Sequence, residues 1–281
     1  MTARGTRRRW VDGVLPTGRG TYDVRSMSVE PVTTTAPRPA GRSVFTQTWL
    51  RATFLHWAVG PDRVAPYLPP RVRPDTIDGI TYVGLIPFWM QGIGILGSPG
   101  IPWAGSFCET NVRLYSVDET GRRGVVFVSL DASRLAPVLV ARAAGLPYLW
   151  SRMRYHRRGD RVTYTCRRRW PGPRGATSRI EVTVGEGIAG GPLEYFLTAR
   201  WGLHMALRGT DTLFWPNEHP QWPLRSATLD RLDDDLLAAA GFGDLAARPP
   251  DSVLFSPGVD VRFGPRRPVH RMRPQPSEGG R

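Results

Sequence analysis

Residues 79–108 hold no charged side chain, and the segment that follows sets Glu109, Asn111, Arg113 and Tyr115 at every second position from Phe107. A period of two is that of a β-strand. A strand leaving so long an uncharged run is expected to be central, with an acid and a base on one covered face. That face must be hydrogen-bonded internally or line a cavity, because unpartnered buried polar groups are costly. The uncharged run is itself long enough to cross a bilayer. Seven glycines and three prolines (Pro87, Pro99 and Pro102) interrupt any regular helix in it. It reads as a buried strand at 80–90 followed by a glycine-rich apolar loop, with no membrane span.

Residues 124–131 form the hairpin partner of this strand, and simple alternation puts Ser129 and Asp131 at the same parity as Phe127 and Val125. Two readings follow. Glu109 and Arg113 form a buried ion pair in a satisfied network. Alternatively, the row lines a pocket where Arg113 binds a carboxylate bidentately and Glu109 handles a proton.

The remaining pattern is strand-rich. Residues 46–59 read as one long strand, with Gln47, Trp49, Arg51, Thr53, Leu55 and Trp57 on one face. Further strands are expected at 152–158, 161–170, 180–184, 224–229 and 253–263, and helices at 133–144, 193–201 and 233–240. Residues 1–42 read as a flexible leader rich in Arg, Pro, Thr and Gly, 43–263 as one α+β domain, and 264–281 as a basic disordered tail. Met27 offers a second start within the leader.

The formal charge is +14, and all 38 basic residues are arginine. The excess sits in residues 1–42 (net +5), 152–179 (net +9) and 262–281 (net +5) rather than on a broad groove. This distribution argues against nucleic-acid binding. The middle segment reads as a hairpin with a solvated Arg-lined face, or else as an anion or partner patch. Two cysteines without a CxxC fit a reduced cytoplasmic protein. No HExxH, GxSxG, Walker A or dinucleotide fingerprint occurs, so neither metal nor cofactor is expected. His219 lies in the proline-fixed loop Asn217-Glu218-His219-Pro220, as a structural cap or as a pocket wall.

Several segments together resemble a known group. They include Phe54-Leu55-His56-Trp57, Glu109-Thr110-Asn111-Val112-Arg113-Leu114-Tyr115, Phe127-Val128-Ser129-Leu130-Asp131-Ala132, Gly145-Leu146-Pro147-Tyr148, Phe196-Leu197-Thr198-Ala199-Arg200 and Phe255-Ser256-Pro257-Gly258. The chain is similar over about 46–262 to the YqjF-like family of bacterial proteins of unknown function, grouped with the acetoacetate decarboxylase-like proteins. The resemblance implies a single domain around a closed, mostly antiparallel β-barrel with an internal pocket and a few short helices.

Decarboxylase members of that group form a Schiff base through a lysine amine. This chain contains no lysine, and the always-protonated guanidinium of arginine cannot replace it. Lysine Schiff-base chemistry is therefore excluded. The expectation is a small carboxylate- or carbonyl-bearing ligand, with lyase-, isomerase- or hydratase-like acid–base chemistry. Glu109 and Asp131 are the proton-transfer candidates; Arg113, Asn111, Tyr115, Ser129 and His219 are the binding candidates. The alternatives are a non-catalytic ligand-binding or structural module, and an anion or nucleic-acid binder acting through the basic tails and the 152–169 hairpin.

Overall fold

The computed structural model describes residues 28–95, 105–206 and 211–269. Thirteen strands form one sheet: β1 (Phe45–Val59), β2 (Val72–Pro74), β3 (Thr81–Ile95), β4 (Phe107–Asp118), β5 (Arg123–Ala132), β6 (Tyr148–Arg158), β7 (Arg161–Trp170), β8 (Thr177–Gly187), β9 (Gly202–Ala206), β10 (Thr212–Glu218), β11 (Arg225–Asp234), β12 (Ser252–Phe263) and β13 (Arg267–Pro268). Four short α-helices are interspersed: α1 (Pro61–Val64), α2 (Leu135–Ala143), α3 (Pro192–Thr198) and α4 (Leu236–Ala239). No described helix is long and apolar enough to cross a membrane.

The strand pairings trace two circuits that share β5, β4, β3, β1 and β12. The first returns through β11, β8, β7 and β6, the second through β10 and β9. All pairs are antiparallel except β5–β6 and β5–β9. The first circuit is packed with Leu55, Trp57, Val83, Leu85, Val112 and Leu114 against Val162, Tyr164, Ile180 and Val182. The second is latched thinly, by the single pair Val125–Leu203 at β5–β9 and by two pairs at β10–β12. The sheet is thus a ring of pairings, a coarser arrangement than the closed barrel that the sequence suggested.

Two irregularities decide which residues face which circuit. Arg51 has φ 54°, and the β1–β3 register shifts between Leu50 and Leu55. The strand bulges there, so its faces exchange: Gln47 and Trp49 share a side with Ala52 and Phe54 instead of with Thr53 and Leu55. The alternation expected through 46–59 is broken at Arg51. In β5, Val112 faces Ser129 while Arg113 faces Phe127, which leaves Val128 as an extra residue.

Expected boundaries shift elsewhere too. Asp233 and Asp234 end β11, so the helix expected at 233–240 shrinks to α4. Residues 28–44 run along the domain: Glu30 bonds through its backbone to Gly121, Arg123 donates to the Glu30 carbonyl, and Ala40 is buried against Glu218. This part of the expected leader lies against the domain, and residues 1–27 lie outside the described residues. Within the stretch expected as a tail, residues 267–268 add β13 to β10, and Val269 is buried. Residues 270–281 lie outside the described set, as does most of the glycine-rich loop, 96–104.

Candidate functional site

The second circuit surrounds a cavity of about 850 Å3. All seven of its strands contribute to the lining, which is mainly aromatic and aliphatic: Trp49, Phe54, Phe88, Phe107, Trp215 and Trp222 are examples. The polar side chains gather at two stations along β4.

Glu109 forms the first station. It faces Phe88 across β3–β4, is 2% exposed, and accepts a 2.8 Å hydrogen bond from the Tyr148 hydroxyl. Burial pushes its carboxyl up to about 8, against the opposing effect of the Tyr148 bond; nearby Asp131 adds to the rise. Glu109 is accordingly protonated at neutral pH. Since Tyr148 donates to Oε2, Oε1 is the oxygen left to carry the proton. Burial and the adjacent carboxyl likewise keep Tyr148 a phenol.

Arg113, four residues on, forms the second station about 13 Å further along the strand at ~3.3 Å per residue. It is 8% exposed. Its Nη2 donates to the Leu197 carbonyl (2.8 Å), and Nε and Nη2 both reach the Tyr115 hydroxyl (3.3 and 3.1 Å). Among the described residues no carboxylate pairs with it. Thr198, Arg200, Asn217 and His219 complete this end of the cavity. Arg200 is held by Asp75, yet its Nη2 has no partner; the Asn217 Oδ1 also has none. His219 donates from Nδ1 to the Pro220 carbonyl (2.8 Å), and burial lowers its pKa to about 4, so it is neutral. Its ring lies 4.5 Å from that of Trp201. Asn111 stands between the stations with Oδ1 unpartnered.

Four of the seven candidates (Glu109, Asn111, Arg113 and His219) therefore share one cavity, and Glu109 and Arg113 do not form the ion pair that was one of the two readings. The other three do not line it. Tyr115 is fully buried behind Arg113, its hydroxyl 2.6 Å from His56 Nε2 and 2.9 Å from the Leu197 carbonyl. There it braces the guanidinium. The Val128 bulge places Asp131 and Ser129 on the opposite face of the sheet. Asp131 forms a buried bidentate pair with Arg168 (2.9 and 2.6 Å) and accepts from Ser151 (2.6 Å). That pair anchors β5 to β7 and does not line the cavity. Ser129 Oγ is buried without a partner.

Tyr148 and Arg200 were not singled out from the sequence. The signal for Tyr148 lay in Gly145-Leu146-Pro147-Tyr148, where Gly145 ends α2 at φ 89° and the chain turns directly into β6 beside β5. A second buried group, Ser116–His204–Asp118 (2.9 and 3.3 Å), has the residue types of a hydrolytic triad. None of its members touches the cavity, and Ser116 and His204 are at most 1% exposed. Among the described residues no cluster of three or more His, Cys, Asp or Glu could hold a metal ion.

Solved structures share this fold. An acetoacetate decarboxylase-like enzyme from Sphingomonas wittichii RW1 superposes with a TM-score of 0.58 at 13% identity, over 83% of this chain and 96% of that one. The enduracididine biosynthesis enzyme MppR complexed with pyruvate gives 0.54 at 15% identity, over 81% and 90%. At these identities the likeness defines the fold, which is acetoacetate decarboxylase-like. Within that fold, the chain belongs to the DUF2071 family, "Uncharacterized conserved protein (COG2071)", whose model matches residues 46–260. The uncharacterized protein YqjF of Bacillus subtilis (strain 168) is 29% identical over 233 residues, covering 82% of this chain and 94% of that protein.

Proposed function

We propose that the second circuit is a small barrel whose cavity binds an elongated, mainly apolar carboxylate that also bears a carbonyl group, and that Glu109 acts on it as an acid. The observation that carries this reading is the pairing of a buried carboxyl bonded to Tyr148 at one station with an arginine that no described carboxylate pairs with at the other. Arg113 suits a ligand carboxylate, and the Arg200 guanidinium adds positive charge at the same end of the cavity. The neutral Glu109 donates a hydrogen bond to the carbonyl oxygen and polarises it. Such polarisation is common to lyases, isomerases and hydratases, and it needs no amine nucleophile. The spacing of the stations along β4 and the aromatic walls between them favour a ligand longer than pyruvate.

A thermal-shift series tests the reading, using pyruvate, phenylpyruvate and medium-chain keto acids. Melting should rise most with the longer acids. Arg113→Met should abolish the rise for every carboxylate, and Arg113→Lys, which keeps the charge, should restore part of it if folding is intact. Glu109→Leu, which cannot donate there, should keep the carboxylate-dependent rise but lose the preference for a keto acid over its deoxy analogue, whereas Glu109→Gln, still a donor, should retain part of that preference. Equal shifts in wild type and Arg113→Met would overturn the proposal.

A further inference from the structure

Helix α2 is out of place on a soluble surface. Eight of its nine residues are apolar, Arg142 being the exception, yet only Val138 is buried. Leu135 is 40% exposed, Leu139 49% and Val140 71%. A helix apolar all round belongs inside a protein or against something apolar. Its position is specific as well: Ala136, Pro137, Val140, Ala141 and Ala144 line the cavity, and the exposure of Val140 places α2 at the cavity mouth.

The surroundings indicate what covers it. Arg142 donates to the Tyr148 carbonyl and lies 5.1 Å over the ring of Trp170, itself 37% exposed. Along β6 the side chains at 148, 150, 152 and 154 share one face, so the cavity wall at Tyr148 runs outward through Trp150 to Arg152 and Arg154. Arg167 pairs opposite Arg152 on β7, and Arg169 stacks 5.0 Å over Trp150. Arg152, Arg154, Arg167 and Arg169 are exposed. Among the described residues none of the four pairs with a carboxylate.

We propose that α2 and the Arg-lined face of β6–β7 form a docking surface for an anionic lipid bilayer. Protruding Leu and Val side chains on a convex helix suit a fluid apolar layer, whereas a folded protein partner would have to supply a matching groove. Interfacial tryptophans and adjoining arginines suit its headgroups. In that orientation the cavity mouth opens onto the bilayer, a source of amphiphilic acids. The docking surface goes beyond the cavity chemistry and does not depend on it.

Co-sedimentation of the full chain with phosphatidylcholine vesicles, with and without phosphatidylglycerol, tests this. Binding should require the anionic lipid and weaken with salt. Leu139→Gln/Val140→Gln changes no charge and keeps helix-compatible residues; it should lower vesicle affinity about tenfold at an unchanged melting temperature. Replacing Arg152, Arg154, Arg167 and Arg169 by Gln should lower both the affinity and its salt dependence. Glu109→Gln should bind vesicles like wild type, which separates this surface from the cavity reading. Equal binding by wild type and Leu139→Gln/Val140→Gln would overturn the proposal and assign adhesion to the basic chain ends. Self-association dependent on Leu139 and Val140, without vesicle binding, would overturn it in favour of a second copy.

Discussion

Glu109 is the residue on which the chemistry turns, because its environment fixes the protonation state that it brings to neutral pH. Its carboxyl titrates near 8 in the folded protein and near 4.5 when the chain is unfolded. Between those values the native state holds a proton that the unfolded state has released. Stability therefore falls as pH rises through this window and levels off above about 8. The span is on the order of a few kcal/mol. Glu109→Gln removes the titration, so melting curves from pH 5 to 9 should show wild type losing stability relative to the variant. Activity or ligand binding that uses the protonated carboxyl should decline above about pH 8 in wild type, with no such limb in the variant. Parallel pH profiles for both proteins would show that Glu109 does not titrate in this range.

At the scale of elements, Asp131 has exchanged the role its spacing suggested for one that joins strands. The Asp131–Arg168 pair ties β5 to β7 from inside the packed circuit, 0% and 3% exposed respectively. Removing one member leaves a buried charge, so Asp131→Asn or Arg168→Met should cost about 3–5 kcal/mol in denaturant unfolding. The cavity ligand should still bind to whatever folded fraction remains. That reassignment shows where sequence reading succeeds. Most long strands were legible from period-two patterning, and the row from Phe107 to Arg113 was legible because it lies in one uninterrupted ladder. What failed was parity carried across a bulge. Neither Arg51 nor Val128 advertises the extra residue, since a bulge is selected by contacts with partner strands that no local pattern encodes. Tyr148 and Arg200 were missed for a related reason: each enters the cavity from an element boundary, where periodicity says nothing. The short strands β9 and β10 escaped because Gly202 and Pro216 read locally as breakers.

The whole molecule places a solid core beside a hollow one, with five strands serving both. One face of β1, β3 and β4 meets tightly interlocked aliphatic side chains, and the other faces the cavity. Such a shared wall lets the packed circuit hold the stations at Glu109 and Arg113 while the remaining cavity wall contributes little to rigidity. The protein carries its two longest cross-strand ladders (β1–β12 and β1–β3) on that shared wall. This division follows from where the ladders are long, and it gives the cavity a fixed side and a lighter one.

Because ladder pairing on that lighter side amounts to one residue pair at Val125–Leu203 and two at β10–β12, beside the His204 bonds to Ser116 and Asp118, the strands bearing Leu203, Trp215 and Asn217 should open more readily than the shared wall. Deuterium uptake would reveal it: amides of β9 and β10 should label early and those of β1 and β4 late, and a bound ligand should slow the former selectively. Uniform labelling across both groups would mean that guests enter without any such opening.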